Sequence, residues 1–158
     1  MFVLVRAVTY ATLFISLVLI FLPARILSSA GITLPAAIGT WQVAGMFVGA
    51  IGAALALSCI LTFAFVGRGT PAPFDPPRRL VVQGPYRFVR NPMYIGAALA
   101  LAGAALFYQS FALLGYFGVF VLVTHLFVVA YEEPTLRRTF AKDYEAYCAK
   151  TRRWWPKR

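Results

Sequence analysis

Four stretches of the chain are almost continuously apolar, and the polar residues collect between them. Residues 2–22 are interrupted only by Arg6, Thr9, Tyr10, Thr12 and Ser16, and the run reaches the about 20 residues that a membrane-spanning helix needs. Residues 23–40 hold Pro23, Gly31, Pro35 and Gly39 and read as a loop that dips into the interface. Residues 41–66 form a second expected span, rich in glycine and alanine. Its Gly45-x-x-x-Gly49 spacing lets two helices approach closely, here by packing within the chain. Residues 67–92 change character, because four prolines in the first half exclude a helix. Residues 93–107 and 111–131 are two further apolar runs, separated by Tyr108-Gln109-Ser110. So short a connection predicts an antiparallel hairpin, whose first arm is short for a span and must tilt or thin the bilayer. After Pro134 the chain returns to water, with Leu136, Phe140, Tyr144 and Tyr147 on one helical face.

The expected fold class is therefore an all-α integral-membrane protein, one domain over residues 1–158. It has four transmembrane helices (about 2–22, 41–66, 93–107 and 111–131), a polar loop over 67–92, and a tail over 132–158 carrying an interfacial amphipathic helix. A secretory signal is the competing reading of residues 2–22, with Arg6 as its charged region and Ser28-Ser29-Ala30 before Gly31 as a cleavage site.

Composition and charge sharpen this picture. The chain is 61% hydrophobic and only 13% charged, well under the about 25% of soluble domains. The net charge of +10 could point to nucleic acid. The basic residues instead sit at the ends of apolar runs, where anionic head groups attract them. With four spans, 14 of the 15 Lys and Arg fall on one side, leaving Arg25 alone on the other. The positive-inside rule makes the 14-residue side cytoplasmic, with both termini; the expected location is a bacterial inner membrane. Cys59 and Cys148 lie in unlike settings and form no disulfide framework, and with one histidine there is no metal-ligand cluster.

Two polar points mark candidate chemistry. Gly84 to Gly96, GPYRFVRNPMYIG, places Arg87, Arg90 and Asn91 at the mouth of the third span. Pro92 suits the first turn of that helix, and Asn91 is its expected N-cap. Tyr86 and Tyr94 also read as interfacial aromatics, and Arg90 as a side chain reaching for phosphates. Glu132-Glu133 closes the hairpin. Adjacent carboxylates at a membrane boundary repel each other and lose hydration, so they persist by meeting cations: Arg87, Arg90 or a cationic ligand. His125, two turns earlier, is either a further functional candidate or a hydrogen-bonded core histidine. The small residues Gly96, Ala97, Ala100, Gly103 and Ala104 either leave room for a lipid beside the hairpin or let helices pack closely.

These residues carry a resemblance. Arg90-Asn91-Pro92-Met93-Tyr94-Ile95-Gly96, the hairpin, Glu132-Glu133, and a tail of Phe140, Tyr144, Tyr147 and Arg153-Trp154-Trp155-Pro156 are similar to the isoprenylcysteine carboxyl methyltransferase family. The wider group includes phospholipid N-methyltransferases. The resemblance covers Gly84 to Pro156 and implies an integral-membrane enzyme using S-adenosylmethionine on a lipid or lipid-like acceptor. It implies catalytic roles for Arg90, Asn91 and Glu133. It also implies a cofactor site drawn from Tyr86, Arg87, Arg90, Asn91, Pro92, Tyr94, Gly96, Glu132, Glu133, Tyr144 and Trp154. Arg87 or Arg90 would pair with the cofactor carboxylate, and Glu132 or Glu133 with its ammonium or ribose. Aromatic faces would meet adenine or sulfonium. The chain departs from the carboxyl methyltransferases at Asn91, where they carry histidine, so acid–base chemistry at this position is lost. The acceptor readings are an isoprenylcysteine-type carboxylate and a phosphatidylethanolamine-type amine. A non-catalytic membrane protein binding anionic lipid or a partner is the reading from another class.

Overall fold

A computed structural model describes residues 12–67 and 80–157, together with Thr9. Arg6, most of the proline-rich stretch before Leu80, and the start of the first expected span lie outside the described residues. The regular elements among the described residues are helices, apart from one isolated bridge between Val89 and Arg152. Helix α1 runs over Thr12–Ser29, α2 over Thr40–Thr62, α3 over Pro92–Tyr108, α4 over Phe111–Phe127 and α5 over Glu133–Lys150. A wide π turn, Val128–Glu132, joins α4 to α5 without a break in the rod. Three helices, Thr12–Ser29, Thr40–Thr62 and Phe111–Lys150, are long and apolar enough to cross a membrane. In the last of these the apolar stretch ends at Tyr131. Helix α3 is apolar with 17 residues.

The first helix corrects the expected loop over 23–40. It continues through Pro23 to Ser29, and only residues 30–39 form the connection. The physical reason lies in the preceding turn. Proline offers no N–H and its ring crowds the carbonyl of the turn before it. Ile15–Phe21 is wound as a wider π-helix, so Leu22 N–H reaches back to Leu17 O. The next such bond would run from residue 23 to Val18 O. Tyr116 of α4 donates its hydroxyl to that carbonyl instead, at 3.0 Å. A neighbouring helix thus satisfies the backbone group that proline leaves free, as a low-dielectric setting demands.

Helices α2 and α3 meet backbone to backbone. A Cβ at Gly103 would lie 2.5 Å from Gly49 N and 2.6 Å from Gly45 O. One at Gly52 would lie 2.6 Å from Ala100 N, and one at Gly96 would lie 2.8 Å from Ala56 N and Gly52 O. Close packing is therefore the use made of these small residues, in place of a lipid gap. Ala97 packs with Leu101 and Phe120, and Ala104 packs against the Leu27, Ala105 and Leu113 cluster. Gln42 ties the same pair together, donating to Phe107 O at 3.2 Å while accepting from Gly39 N–H at 3.0 Å.

The hairpin forms as its short connection predicts. Gln109 takes the left-handed conformation that ends α3, and Ser110 Oγ caps α4 by accepting from Leu113 N–H. Two ends of the bundle result. One holds residues 30–39 and the hairpin turn. The other holds residues 80–91, the α4–α5 junction and the tail.

The glycine packing yields a contrast between neighbouring positions. Gly52→Ala and Gly103→Ala each place a methyl against backbone and are expected to destabilise the protein by about 1–3 kcal/mol. Gly49→Ala directs its methyl into open space and is expected to be tolerated. Thermal unfolding in detergent should show lowered midpoints for the first two alone.

Candidate functional site

The segment before α3 is positioned by Gly84, whose positive φ of 58° leads into a short 3-10 turn, Gly84–Arg87. That turn drives Tyr86 inward, onto Cys59 and Val81, with its ring edge-on to Phe63 at 5.2 Å. Arg87 points the other way. It is exposed, with its guanidinium 4.9 Å above the Phe88 ring. The backbone then runs beside the tail: Val89 pairs with Arg152, and Arg90 N–H donates to Arg152 O at 2.9 Å.

Arg90 reaches into the gap between this segment and α5. Its Nη2 lies 3.1 Å from Glu133 Oε1, and its Nη1 donates to Cys148 Sγ. Its Nε is buried with no hydrogen-bond partner among the described residues. Asn91 occupies the N-cap position of α3, and its carbonyl accepts from Ile95 N–H at 3.3 Å. Its side chain makes no capping bond. It is spent on the tail, donating through Nδ2 to Arg153 O at 3.4 Å. Pro92 is buried at the first turn of α3, while Gly96 faces α2.

The two adjacent glutamates have different partners. Glu133 is gripped by Arg153, whose Nε and Nη2 donate to the two carboxylate oxygens at 2.8 and 2.9 Å. This fork matches carboxylate geometry. Burial alone would raise the Glu133 pKa, but Arg153, Arg90 and Arg137 together hold it below the ordinary carboxylate range. Glu132 has one hydrogen-bond partner among the described residues: Tyr94 Oη, which donates to Oε2 at 3.2 Å. Burial raises the Glu132 pKa; the Tyr94 bond lowers it, and the Glu133 charge raises it further.

The amphipathic face expected after Pro134 is bent. Ala141 has φ 42° and ψ −115°, which breaks α5 into two arms that no sequence feature announces. The second arm turns Tyr144 and Tyr147 into the protein, where both are buried. Tyr147 Oη donates to Tyr86 O at 2.6 Å and so fastens α5 to the segment before α3. Beyond Thr151 the tail crosses the site. Trp154 Nε1 donates to His125 Nδ1 at 3.1 Å, with ring centroids 6.0 Å apart.

Of the residues singled out in the sequence, the structure gathers Arg90, Asn91, Tyr94, Glu132, Glu133 and Tyr144 around the α3–α5 junction. Trp154 borders this group through its neighbour Arg153. Tyr86 and Gly96 face α2, and Arg87 faces outward. Arg153 is the member that residue spacing did not point to as a site residue. It lies 20 positions from Glu133, and only the tail pattern of the resembling family marks it. Cys148 went unrecognised because a lone thiol carries no signal.

A family model described as phospholipid methyltransferase matches residues 40–143. No curated protein and no solved structure matches the chain.

The Arg153–Glu133 fork sets the docking of the tail. Arg153→Lys keeps the charge but cannot bridge both oxygens. Local opening of residues 151–157 should become easier by about 1 kcal/mol, roughly fivefold less amide protection in hydrogen exchange. The pH dependence follows from the depressed Glu133 pKa. Its contribution is present above the unfolded value of about 4.3 and is lost as pH falls through the lower folded value. Protection of the tail should therefore persist at pH 5 and collapse only below the ordinary carboxylate range.

Proposed function

The chain belongs to the phospholipid methyltransferase family, and from that membership we propose that it transfers a methyl group from S-adenosylmethionine to a lipid or lipid-like acceptor, such as an isoprenylcysteine-type carboxylate. It is an integral-membrane methyltransferase acting on lipid-type substrates. The cofactor, the acceptor class and the residue roles are the finer steps of the proposal.

The observation that carries the reading is the unequal use of the acid pair. Glu133 is satisfied by two arginines, whereas Glu132 keeps capacity beyond its single tyrosine. Close by on the same junction, Arg90 holds a buried Nε with no partner. One buried carboxyl group with spare acceptor capacity and one unsatisfied cationic donor fit a ligand with an ammonium and a carboxylate, which is the amino-acid end of the cofactor. Glu132 would accept from the ammonium, oriented by Tyr94, and Arg90 would donate to the carboxylate. Glu133 holds Arg90 in place. Asn91 links the start of α3 to the tail and, being unable to titrate, takes no part as a base. Arg87 and Gly96 are turned away and drop out of the proposed set, whereas Tyr86, packed on Cys59, keeps its phenol within electrostatic reach of Glu132 and stays in it. Pro92 fixes the start of α3.

When bound, the cofactor supplies an electrophilic methyl group on a sulfonium. The protein's task is then to align the acceptor and exclude water. The tail crossing the junction serves the second need, and its contacts with residues 89–91 hold it there. A carboxylate acceptor needs no base, which accords with the absence of a titratable side chain at position 91.

We further infer that α3 is a fourth span and that the junction faces the cytoplasm. At about 1.5 Å per residue its 17 residues cover roughly 26 Å, near the about 30 Å of a bilayer core. The lopsided distribution of Lys and Arg supports the orientation. A reporter fused after Arg158 should be found in the cytoplasm; a reporter on the far side would overturn the orientation.

Cofactor binding is tested by calorimetry with S-adenosylhomocysteine. The wild-type chain should bind, and Glu132→Gln should weaken binding by about 1.5–3 kcal/mol, roughly ten- to hundredfold. Tyr94→Phe should weaken it less, since it removes only the orienting bond. Unchanged affinity in a folded Glu132→Gln variant would return Glu132 to a structural role.

A further inference from the structure

His125 stands in the apolar part of α4, seven residues before Glu132 and so roughly 10 Å deeper along the helix. Leu122 and Val129, one turn to either side on the same face, are 58% and 41% exposed. That face of α4 meets lipid. The residue that covers it at His125 comes from the tail: Trp154, whose indole N–H donates to His125 Nδ1. An indole can only donate, so the imidazole accepts at Nδ1. This is the single hydrogen bond of either side chain among the described residues. The neighbouring Arg153 turns to Glu133, on the polar side of the junction. Consecutive tail residues thus face two environments: Arg153 the charged cluster, Trp154 the bilayer-facing surface. A tryptophan with its ring against an apolar helix and its N–H satisfied suits this boundary.

An acceptor from the membrane must reach the charged cluster, and the α2–α3 side is closed by backbone contact. We propose that His125 is a positioning residue: it fixes Trp154 as the wall between the cluster and the bilayer, so that the pair governs how a lipid-type acceptor is seated. The proposal rests on the methyltransferase reading given above. It moves Trp154 from the cofactor to the acceptor side of the site. His125 acts through the indole and not by proton transfer, so an acceptor atom at the same place in the ring should replace it. In His125→Asn the amide oxygen stands close to the position of Nδ1.

The test uses the full chain reconstituted in vesicles of total polar lipid extract. Initial rates of labelled methyl transfer are measured together with S-adenosylhomocysteine affinity. His125→Leu and Trp154→Phe should each lower the rate about five- to tenfold, the worth of one hydrogen bond, with cofactor affinity within about twofold of wild type. His125→Asn should restore most of the rate. The double variant His125→Leu/Trp154→Phe should be no slower than the slower single variant, because both remove the same bond. Should His125→Leu fail to fold, Trp154→Phe and His125→Asn still carry the comparison. A wild-type rate in Trp154→Phe, or losses that multiply in the double variant, would overturn the proposal. A parallel loss of cofactor affinity would also overturn it, placing the pair on the cofactor side. A wild-type chain that neither binds S-adenosylhomocysteine nor transfers label would instead remove the reading on which it rests.

Discussion

The Glu133 carboxylate, held between Arg90 and Arg153, ties together the three parts of the chain that make the site. Arg90 comes from the segment before α3, Glu133 from the start of α5, and Arg153 from the tail. A carboxylate at a membrane boundary loses hydration, and only well-placed cations offset that loss. Two arginines do so here, one of them through a fork. Removing either partner would leave charge uncompensated in a poorly hydrated place. The pairing also has a chemical consequence. With Glu133 saturated, the repulsion between adjacent acids falls on Glu132, which sits buried against a neutral tyrosine. The clamp thus builds the scaffold and leaves one carboxylate with capacity to spare.

A second constraint acts at the level of the bundle. Helices α2 and α3 approach until only glycine fits at Gly45, Gly52, Gly96 and Gly103. This contact anchors α3, and with it Asn91 and Tyr94 at its start. It also consumes the small-residue face of α3, so on the proposed reading an acceptor arriving from the bilayer would use another side of the hairpin. The exposed face of α4 beside the tail is the side that remains next to the acid pair.

Much of this was legible in the chain. The apolar runs gave α2, the hairpin and its turn, because hydrophobic length is the dominant signal in a membrane. Reading proline and glycine as loop markers misjudged Pro23, since proline ends helices in water but is accommodated when a π turn and a neighbouring hydroxyl absorb its cost. The acid pair and Arg90 were legible as an unstable charge arrangement that needed partners. Which glutamate met which arginine was not, because Arg153 arrives through the tertiary path of the tail. Asn91 illustrates the same limit: its type and place predicted a cap, and the tail claimed its side chain. The bend at Ala141 has no local cause in the sequence, and the structure offers none beyond the docking of Tyr144 and Tyr147 that it permits.

The central claim is that this junction moves a methyl group onto a lipid-type molecule, and product analysis tests it most directly. The purified chain, reconstituted with a total lipid extract and S-adenosylmethionine labelled at the methyl group, should place label in the organic phase. The label should accumulate with time and be suppressed by excess S-adenosylhomocysteine. A chain that binds S-adenosylhomocysteine yet leaves the organic phase unlabelled would contradict the account.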